Sequence, residues 1–223
     1  MTVLLVLATF VIFLTIDYFL TRRRVPQPVA EVAREIDLVP RLRPAVVAGF
    51  ELPDNLRYHP GHTWALSESP QLVRVGLDDF AARLLGRVDR INLPQRGQWV
   101  RQGQKLLTIY RDNGKAEIVS PIEGIVTDTN QAVMQDPELA RHDPYGEGWL
   151  LMVQSPDART NFRNLLGGAV ARRWMEEAAM RLQSRMPAMA GAVAQDGGVA
   201  IDDLTTQLPD EAWNELTREF FLS

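Results

Sequence analysis

The first apolar run of the chain is long enough to cross a lipid bilayer. It spans residues 3–20, reads VLLVLATFVIFLTIDYFL and contains one charged side chain, Asp17. An α-helix of this length rises about 27 Å, which is close to the roughly 30 Å of a hydrocarbon core. Only two residues precede the run, and no small-residue cleavage site of the signal-peptide kind follows it. The pattern predicts an uncleaved transmembrane anchor over residues 1–24.

Three arginines set the predicted orientation of this anchor. Arg22, Arg23 and Arg24 follow the apolar run directly, and cations concentrate on the cytoplasmic flank of a transmembrane helix. We therefore expect a single-pass protein of the inner (cytoplasmic) membrane, with its N-terminus outside and its C-terminal domain in the cytoplasm. Asp17 lies close to the predicted interface, where it either reaches toward the headgroups or contacts a cation of a neighbouring helix.

Residues 25–51 contain Pro26, Pro28, Pro40 and Pro44. Proline has a fixed φ and no backbone N–H, so prolines at these intervals interrupt regular helices and strands. The composition predicts an extended tether that leads from the membrane to the first folded domain.

Between residues 52 and 156 the chain consists of short runs rich in β-branched residues, separated by glycines. Apolar and polar residues alternate within these runs, and a period of two is typical of a half-buried strand. The pattern predicts strands over 72–76, 86–93, 105–110, 116–121, 124–130 and 148–153, and short helices over 78–85 and 137–141. We therefore expect a small all-β barrel or sandwich in this segment.

Residues 157–223 are predicted to form a helical C-terminal extension. Apolar residues recur three and four positions apart over 161–186, as on one face of an amphipathic helix, and Pro187 ends this pattern. A stretch of small residues and glycines follows, and a second amphipathic pattern covers 210–222. The extension thus consists of two predicted helices and a linker.

Aromatic side chains in this extension are candidate contacts for a partner. Trp174 lies beside two arginines, which suits a membrane surface, although docking of this helix on the β domain or on a partner is the favoured interpretation. Trp213, Phe220 and Phe221 lie near the C-terminus and need an apolar surface to pack against, which another subunit would provide. These four aromatics and Asp17 are the predicted partner-contact residues.

The composition excludes several classes of function. A net charge of −4 disfavours nucleic acid as a partner, because phosphate binding needs a surplus of cations. The absence of cysteine removes disulfides, thiolate nucleophiles and thiolate metal sites. His59 and His62 are three residues apart, but His142 is distant in the sequence, so no metal site is predicted. The chain lacks a recognisable catalytic triad, Walker loop and dinucleotide fingerprint, so we expect no catalytic residues and no enzyme.

Five stretches of the central segment resemble, in the same order, the H protein of the glycine cleavage system. They are YHPGHTW (58–64), VGLDDFAARLLG (75–86), INLPQRGQWVRQGQKL (91–106), SPIEGIVTDTNQAV (120–133) and DPELARHDPYGEGWLLMV (136–153). The resemblance covers residues 52–156 and implies a barrel-sandwich hybrid of the lipoyl-domain type, in which a hairpin carries a lipoylated lysine at its tip. The predicted fold class is therefore mainly β, with an N-terminal transmembrane helix and C-terminal α-helices.

The resemblance also implies where that lysine should lie. In the family it stands eight residues before the proline of a small-Pro-x-x-Gly turn, which is Ser120–Gly124 here, and this count reaches Asn113. Asparagine has no amine that could form an amide with lipoate, so no lipoate or other cofactor is expected. Asn113 and Gly114 are nevertheless a strong signal for a two-residue hairpin turn.

Lysine is rare in this chain, which limits the alternative attachment points. Of the 24 basic residues, only Lys105 and Lys115 are lysines. Lys115 lies two residues beyond Asn113, on the same side of a strand but further from the tip of the hairpin, and is the fallback candidate for lipoylation. Lys105 lies at the start of the preceding strand and is a poorer candidate.

Three hypotheses for the function follow. The favoured one is a non-catalytic, membrane-anchored accessory or stabilising subunit of a larger inner-membrane complex, such as a photosynthetic or respiratory energy-transducing assembly. Its partners would be integral membrane subunits, contacted on the cytoplasmic face, and the lipid bilayer. The alternative is a membrane-tethered lipoyl carrier related to the glycine cleavage H protein, which would use Lys115. The third is a membrane-surface adaptor without a fixed complex.

Overall fold

The computed structural model describes residues 45–112, 114–185 and 208–222. Asp17, Arg22, Arg23 and Arg24 lie outside these ranges, together with the predicted anchor and most of the predicted tether. Within the described ranges, no helix is both long enough and apolar enough to cross a membrane. The membrane anchor therefore stays a prediction from the sequence.

The strands of the described residues form three antiparallel sheets. The strands are β1 (Ala45–Val47), β2 (Phe50–Leu52), β3 (Arg57–His59), β4 (Thr63–Ser67), β5 (Leu72–Leu77), β6 (Arg90–Asn92), β7 (Trp99–Val100), β8 (Lys105–Arg111), β9 (Gly114–Val119), β10 (Gly124–Thr129) and β11 (Leu151–Gln154). The largest sheet has the order β3-β4-β5-β11-β10-β7, and a second has the order β6-β8-β9. The first two strands form a hairpin of their own.

Six helices complete the described part of the chain. They are α1 (Asp79–Leu85), α2 (Gln131–Gln135), α3 (Leu139–His142), α4 (Ala158–Arg163), α5 (Gly168–Arg185) and α6 (Asp210–Phe221). α1 and α3 confirm the two short helices predicted within the β-rich segment. α2 was not predicted; Asn130 caps it, because its Oδ1 accepts a hydrogen bond from the N–H of Ala132 at 3.0 Å.

The strands bury one face because apolar and polar residues alternate along them. In β9, for example, Ala116 and Ile118 are buried, whereas Lys115, on the other face of the strand, is exposed. The buried faces of both larger sheets contribute to one hydrophobic core, in which Trp64 and Phe80 are among the largest fully buried side chains. The prediction of a mainly β domain with C-terminal helices is thus confirmed.

Five of the six predicted strands are confirmed to within three residues at either end. The sixth, over 86–93, is confirmed only over the three residues of β6. Gly86 instead ends α1, with a φ of +64° that favours glycine. Val88 then donates its N–H to Glu138 Oε1 at 2.8 Å rather than to a neighbouring strand.

The predicted tether over 25–51 ends earlier than expected, because β1 and β2 belong to the folded domain. Phe50 is fully buried, and its ring centroid lies 5.0 Å from that of Phe80 in α1. The N–H of Glu51 donates to Asp79 Oδ2 at 2.8 Å. The prolines of this segment suggested an extended tether, but the apolar residues at its end pack against α1, and the domain begins by residue 45.

The single helix predicted over 161–186 is two helices, α4 and α5. Between them, Leu166 pairs with Tyr58 through two backbone hydrogen bonds of 2.8 and 2.9 Å, so the chain extends the sheet at this point. Gly168, the first residue of α5, has a φ of +54°. The buried side of α5 consists of Ala171, Met175, Ala178, Ala179 and Leu182. A strand-like contact has therefore replaced one turn of the predicted helix.

Three of the four aromatics predicted to contact a partner are core residues of this chain. Trp213 and Phe220 are 1% exposed and Phe221 is fully buried, because α6 packs against β9 and α1. Trp174 is partly buried, and its ring centroid lies 4.6 Å from that of His62. The C-terminal helices therefore dock on the β domain, and Trp213, Phe220 and Phe221 pack within this chain. A partner contact of Trp174 stays a prediction from the sequence.

Candidate functional site

The hairpin of β8 and β9 is the place where the family resemblance puts the carrier lysine. The two strands pair from Lys105 and Val119 to Arg111 and Gly114, which leaves residues 112 and 113 to connect them. The predicted hairpin is confirmed, but its turn starts one residue earlier than the Asn-Gly signal indicated, because Gly114 is already part of β9. Asp112 has a φ of +45°. Residue 113 lies outside the described residues, so the assignment of Asn113 to the carrier position stays a prediction.

The carrier position is counted back from a tight turn at the other end of β9. Ser120 donates its hydroxyl to the carbonyl of Ile122 at 2.6 Å, within the Ser-Pro-x-x-Gly sequence. Gly124 closes the turn with a φ of +155°, and a Cβ at this position would clash with the carbonyl of Gln154. The glycine is thus required by both its backbone conformation and the close approach of β11.

The two lysines of the chain share one carboxylate on this hairpin. Lys105 Nζ donates to Glu117 Oε1 at 2.7 Å, and Lys115 Nζ lies 3.7 Å from the same oxygen. The hydrogen bond from Lys105 is the main reason that the pKa of Glu117 lies below its ordinary value. The side chain of Lys115 is 62% exposed. Its amine is therefore accessible, but it lies on the strand and beside an acidic partner, not at the turn.

The C-terminal helix α6 holds the end of the hairpin. The N–H of Lys115 donates to Asn214 Oδ1 at 3.3 Å. Trp213 donates its indole N–H to the carbonyl of Leu85 at 3.3 Å and lies so close to Gly114 that a Cβ there would be 2.8 Å from the ring. The guanidinium of Arg111 lies 5.6 Å from the centre of the same ring. The turn is thus bordered by a helix that follows it by about a hundred residues in the sequence.

Sequence reasoning missed a buried pair formed by His62 and Asp78. His62 Nδ1 lies 2.8 Å from Asp78 Oδ2, and both side chains are fully buried. Asp78 Oδ1 also accepts the N–H of Ala81, so Asp78 is the N-cap of α1. The signal for the pair lay in the strand register, because β4 and β5 pair Thr63 with Leu77 and thus bring the adjoining residues together.

The histidines of this region serve packing and local hydrogen bonds. The ring of His62 stacks on Phe80 with centroids 4.1 Å apart, and its Nε2 has no hydrogen-bond partner among the described residues. His59 Nδ1 accepts the N–H of Gly61 at 3.0 Å. Over 45–112, 114–185 and 208–222, no three His, Cys, Asp or Glu side chains lie close enough together to bind a metal ion.

The burial of His59 predicts a loss of stability on mild acidification. Its pKa lies below the ordinary value, mainly because the ring is buried and to a lesser extent because of His62. As the pH falls through about 6.5, the unfolded chain therefore takes up a proton before the folded domain does, and the free energy of unfolding decreases. Urea titrations between about pH 7.5 and 5.5 should show this decrease, and His59→Asn, which keeps an acceptor for Gly61, should reduce it. An equal decrease in both proteins would contradict the assignment.

A family model and similar protein sequences point to the same protein family. The family model of the glycine cleavage H-protein matches residues 56–178. The glycine cleavage system H protein of Synechococcus sp. (strain WH7803) is 34% identical over 108 residues, which are 48% of this chain and 83% of that protein. The protein of the same name from Anaeromyxobacter sp. (strain K) is 32% identical over 128 residues, which are 57% of this chain and 98% of that protein.

Among solved structures, a glycine cleavage system H protein from Mycobacterium marinum aligns with 56% of this chain and 98% of its own, at 25% identity and a TM-score of 0.47. The family match includes the β8–β9 hairpin, the Ser120–Gly124 turn and the buried pair of His62 and Asp78. The chain therefore belongs to the glycine cleavage H-protein family.

Proposed function

We propose that this member of the H-protein family is a non-catalytic accessory subunit of an inner-membrane protein complex and not a lipoyl carrier. The observation that carries the proposal is Asn113, which stands eight residues before Pro121, where the resemblance to the family implies a lysine. Lipoylation forms an amide between lipoate and an ε-amine, and the carboxamide of asparagine cannot supply that amine. A domain without the attachment point retains a rigid body that is suited to protein contacts.

The surroundings of the turn support the loss of the carrier role. The N–H of Asp112 donates to Asp89 Oδ2 at 2.6 Å on one side of residue 113. On the other side, the N–H of Lys115 is bonded to Asn214 of α6. A swinging arm has to project from a freely accessible turn, whereas the residues around this turn are held from two directions.

The sequence supports a position at the membrane. The apolar run over 3–20 has the length of a transmembrane helix, and Arg22, Arg23 and Arg24 favour an orientation with the folded domain in the cytoplasm. Asp17 within this run is the candidate contact for a cation of a neighbouring helix. A photosynthetic or respiratory energy-transducing assembly would supply integral membrane subunits as partners.

Lipoylation of Lys115 is the second candidate function, and the exposure of its side chain favours it. At 62% exposure the amine is within reach of a modifying enzyme. The ion pair with Glu117 and the position on β9 rather than in the turn argue against it. In this case the chain would be a membrane-tethered lipoyl carrier.

One preparation from the native host tests both functions. The full-length chain, purified from membranes in mild detergent, is expected to have its unmodified intact mass and to sediment together with integral membrane proteins. Lys115→Arg is the matched control for the mass. A lipoyl adduct that disappears in this variant would establish the carrier function instead, and a chain that sediments as a lone monomer would contradict the accessory role.

A further inference from the structure

α6 has the residue pattern of a helix that binds in a groove. Its buried side chains recur at positions i, i+3, i+4, i+7 and i+8, and each is at most 7% exposed. They are Trp213, Leu216, Thr217, Phe220 and Phe221. The opposite side of the helix carries exposed charged residues, among them Glu211 and Arg218. This spacing places all the apolar anchors on one stripe, as in helices that recognise a complementary groove.

The surface beneath α6 is shaped for these anchors. Gly114 provides room for the indole of Trp213, and Gly61 provides room for the end of the helix, since a Cβ at residue 61 would be 2.9 Å from the carbonyl oxygen of Phe221. The ring of Phe220 lies 5.0 Å from that of Phe80 in α1. β9 thus forms the floor of the groove and α1 forms one wall.

α5 also contacts α6, through two arginines. The guanidinium of Arg181 lies 5.4 Å from the centre of the Phe220 ring. Arg185 forms an ion pair with Glu219 at 2.8 Å, and this pair is partly exposed. The groove therefore combines an apolar floor with a basic rim, and the helix that it holds carries the matching acidic residue.

The family match covers most of the groove but not the helix that lies in it. The family match covers residues 56–178, which supply β9, α1 and the first part of α5, whereas Arg181, Arg185 and α6 lie beyond it. The Anaeromyxobacter relative is covered over 98% of its length by an alignment of 128 residues. The part of the chain that the family model matches therefore does not include α6. In this chain, residues 186–207 join α6 to the domain and are rich in alanine and glycine.

We propose that the surface of β9, α1 and α5 is a binding groove for an amphipathic helix with aromatic anchors, and that α6 is its separable intramolecular ligand. Covalent linkage raises the effective concentration of α6 and keeps the groove filled. The proposal holds whether or not Lys115 is modified, so it is independent of the carrier question. A helix with the same spacing of aromatics, presented at high concentration, competes with α6 and uncovers the end of the β8–β9 hairpin.

The absence of cysteine allows a direct test in the full-length chain, because each introduced cysteine is the only thiol. Thr217→Cys places the thiol under α6, and Ser155→Cys places it in the domain core; both residues are fully buried. Ser155 Oγ has no hydrogen-bond partner among the described residues, so this control removes no such bond. The rate of maleimide labelling is measured in detergent without denaturant, after circular dichroism has shown that both variants are folded.

We expect the thiol at residue 217 to react at least about 10-fold faster than the thiol at residue 155, because a docked helix opens more readily than the core. A synthetic peptide of residues 208–222 should accelerate labelling at residue 217 further and leave residue 155 unchanged. The same peptide with Trp213→Ala and Phe220→Ala should have no effect. Equal labelling rates at both thiols, or a rate at residue 217 that the native peptide does not change, would overturn the proposal.

Discussion

Replacement of Trp213 by alanine is expected to release α6 from the β8–β9 hairpin, with a loss of about 3–5 kcal/mol of packing free energy. The indole is 1% exposed, donates a hydrogen bond to the carbonyl of Leu85 and lies directly on Gly114. A helix as short as α6 is marginally stable once it has lost its docking surface. Trypsin should then cleave after Arg218 under native conditions, which mass spectrometry detects as the loss of the C-terminal residues.

Leu222→Ala provides the matched control for this variant. Leu222 is also an apolar residue at the C-terminus, but its side chain is 55% exposed. Its truncation should leave α6 as resistant to trypsin as it is in the unsubstituted chain. Equal cleavage of both variants would show that the helix is labile for reasons other than the contact of Trp213.

The same contact can be tested from the side of the hairpin. In Gly114→Ala, the new Cβ would lie 2.8 Å from the indole of Trp213, so α6 should again become accessible to trypsin. In a Trp213→Ala background this clash is absent, and Gly114→Ala should have little additional effect on stability. A double-mutant cycle measures this coupling. Additive effects would mean that the hairpin backbone, and not the indole, requires glycine at this position.

Replacement of Asp78 by alanine is expected to lower the free energy of unfolding of the domain by about 3–5 kcal/mol. The carboxylate is fully buried, caps α1 through the N–H of Ala81 and is the hydrogen-bond partner of His62. Its removal leaves Nδ1 of the buried His62 ring without its hydrogen-bond partner. It also leaves the first turn of α1 without a cap. Chemical denaturation followed by circular dichroism measures the change.

Two further variants define the origin of this effect. Asp157 stands at the N-cap position of α4 but makes no side-chain cap hydrogen bond, so Asp157→Ala should change the free energy of unfolding by less than about 0.5 kcal/mol. Asp78→Asn retains an acceptor for the N–H of Ala81 and should have an intermediate effect. A loss below about 1 kcal/mol in Asp78→Ala would indicate that packing against Phe80 and Trp174 alone holds the His62 ring.

Local features of the fold and of the site were predictable from the sequence. The strands around the hairpin, the cap at Asp78 and the tight turn at Ser120–Gly124 depend on residues that are close together in the chain. Alternation, capping side chains and turn glycines report such local geometry directly. The order of the motifs was sufficient to indicate the H-protein family, to which the chain belongs, and its mainly β, lipoyl-domain-like fold.

Features that depend on contacts between distant residues were not predictable. The break between α4 and α5 arises because the backbone of Leu166 joins the edge of β3 at Tyr58, which helical periodicity does not reveal. The packing of the β1–β2 hairpin on the domain depends on the contact of Phe50 with Phe80 in α1, which the prolines before the hairpin do not indicate. The pair of His62 and Asp78 required the register of β4 and β5, since neither residue indicates its partner by itself.

By itself, the sequence determined the family, the hairpin and the asparagine at residue 113, because motif order and spacing are properties of the chain alone. It also determined that α6 has an apolar face. Only the tertiary structure decided what covers that face. Asn214 bonds to Lys115 across 99 residues of chain. From the sequence alone, a partner, a bilayer or the chain's own domain could each have buried the aromatic stripe of α6. Hydrophobic periodicity specifies which side of a helix is buried, whereas the surface that buries it depends on the three-dimensional fit of distant residues.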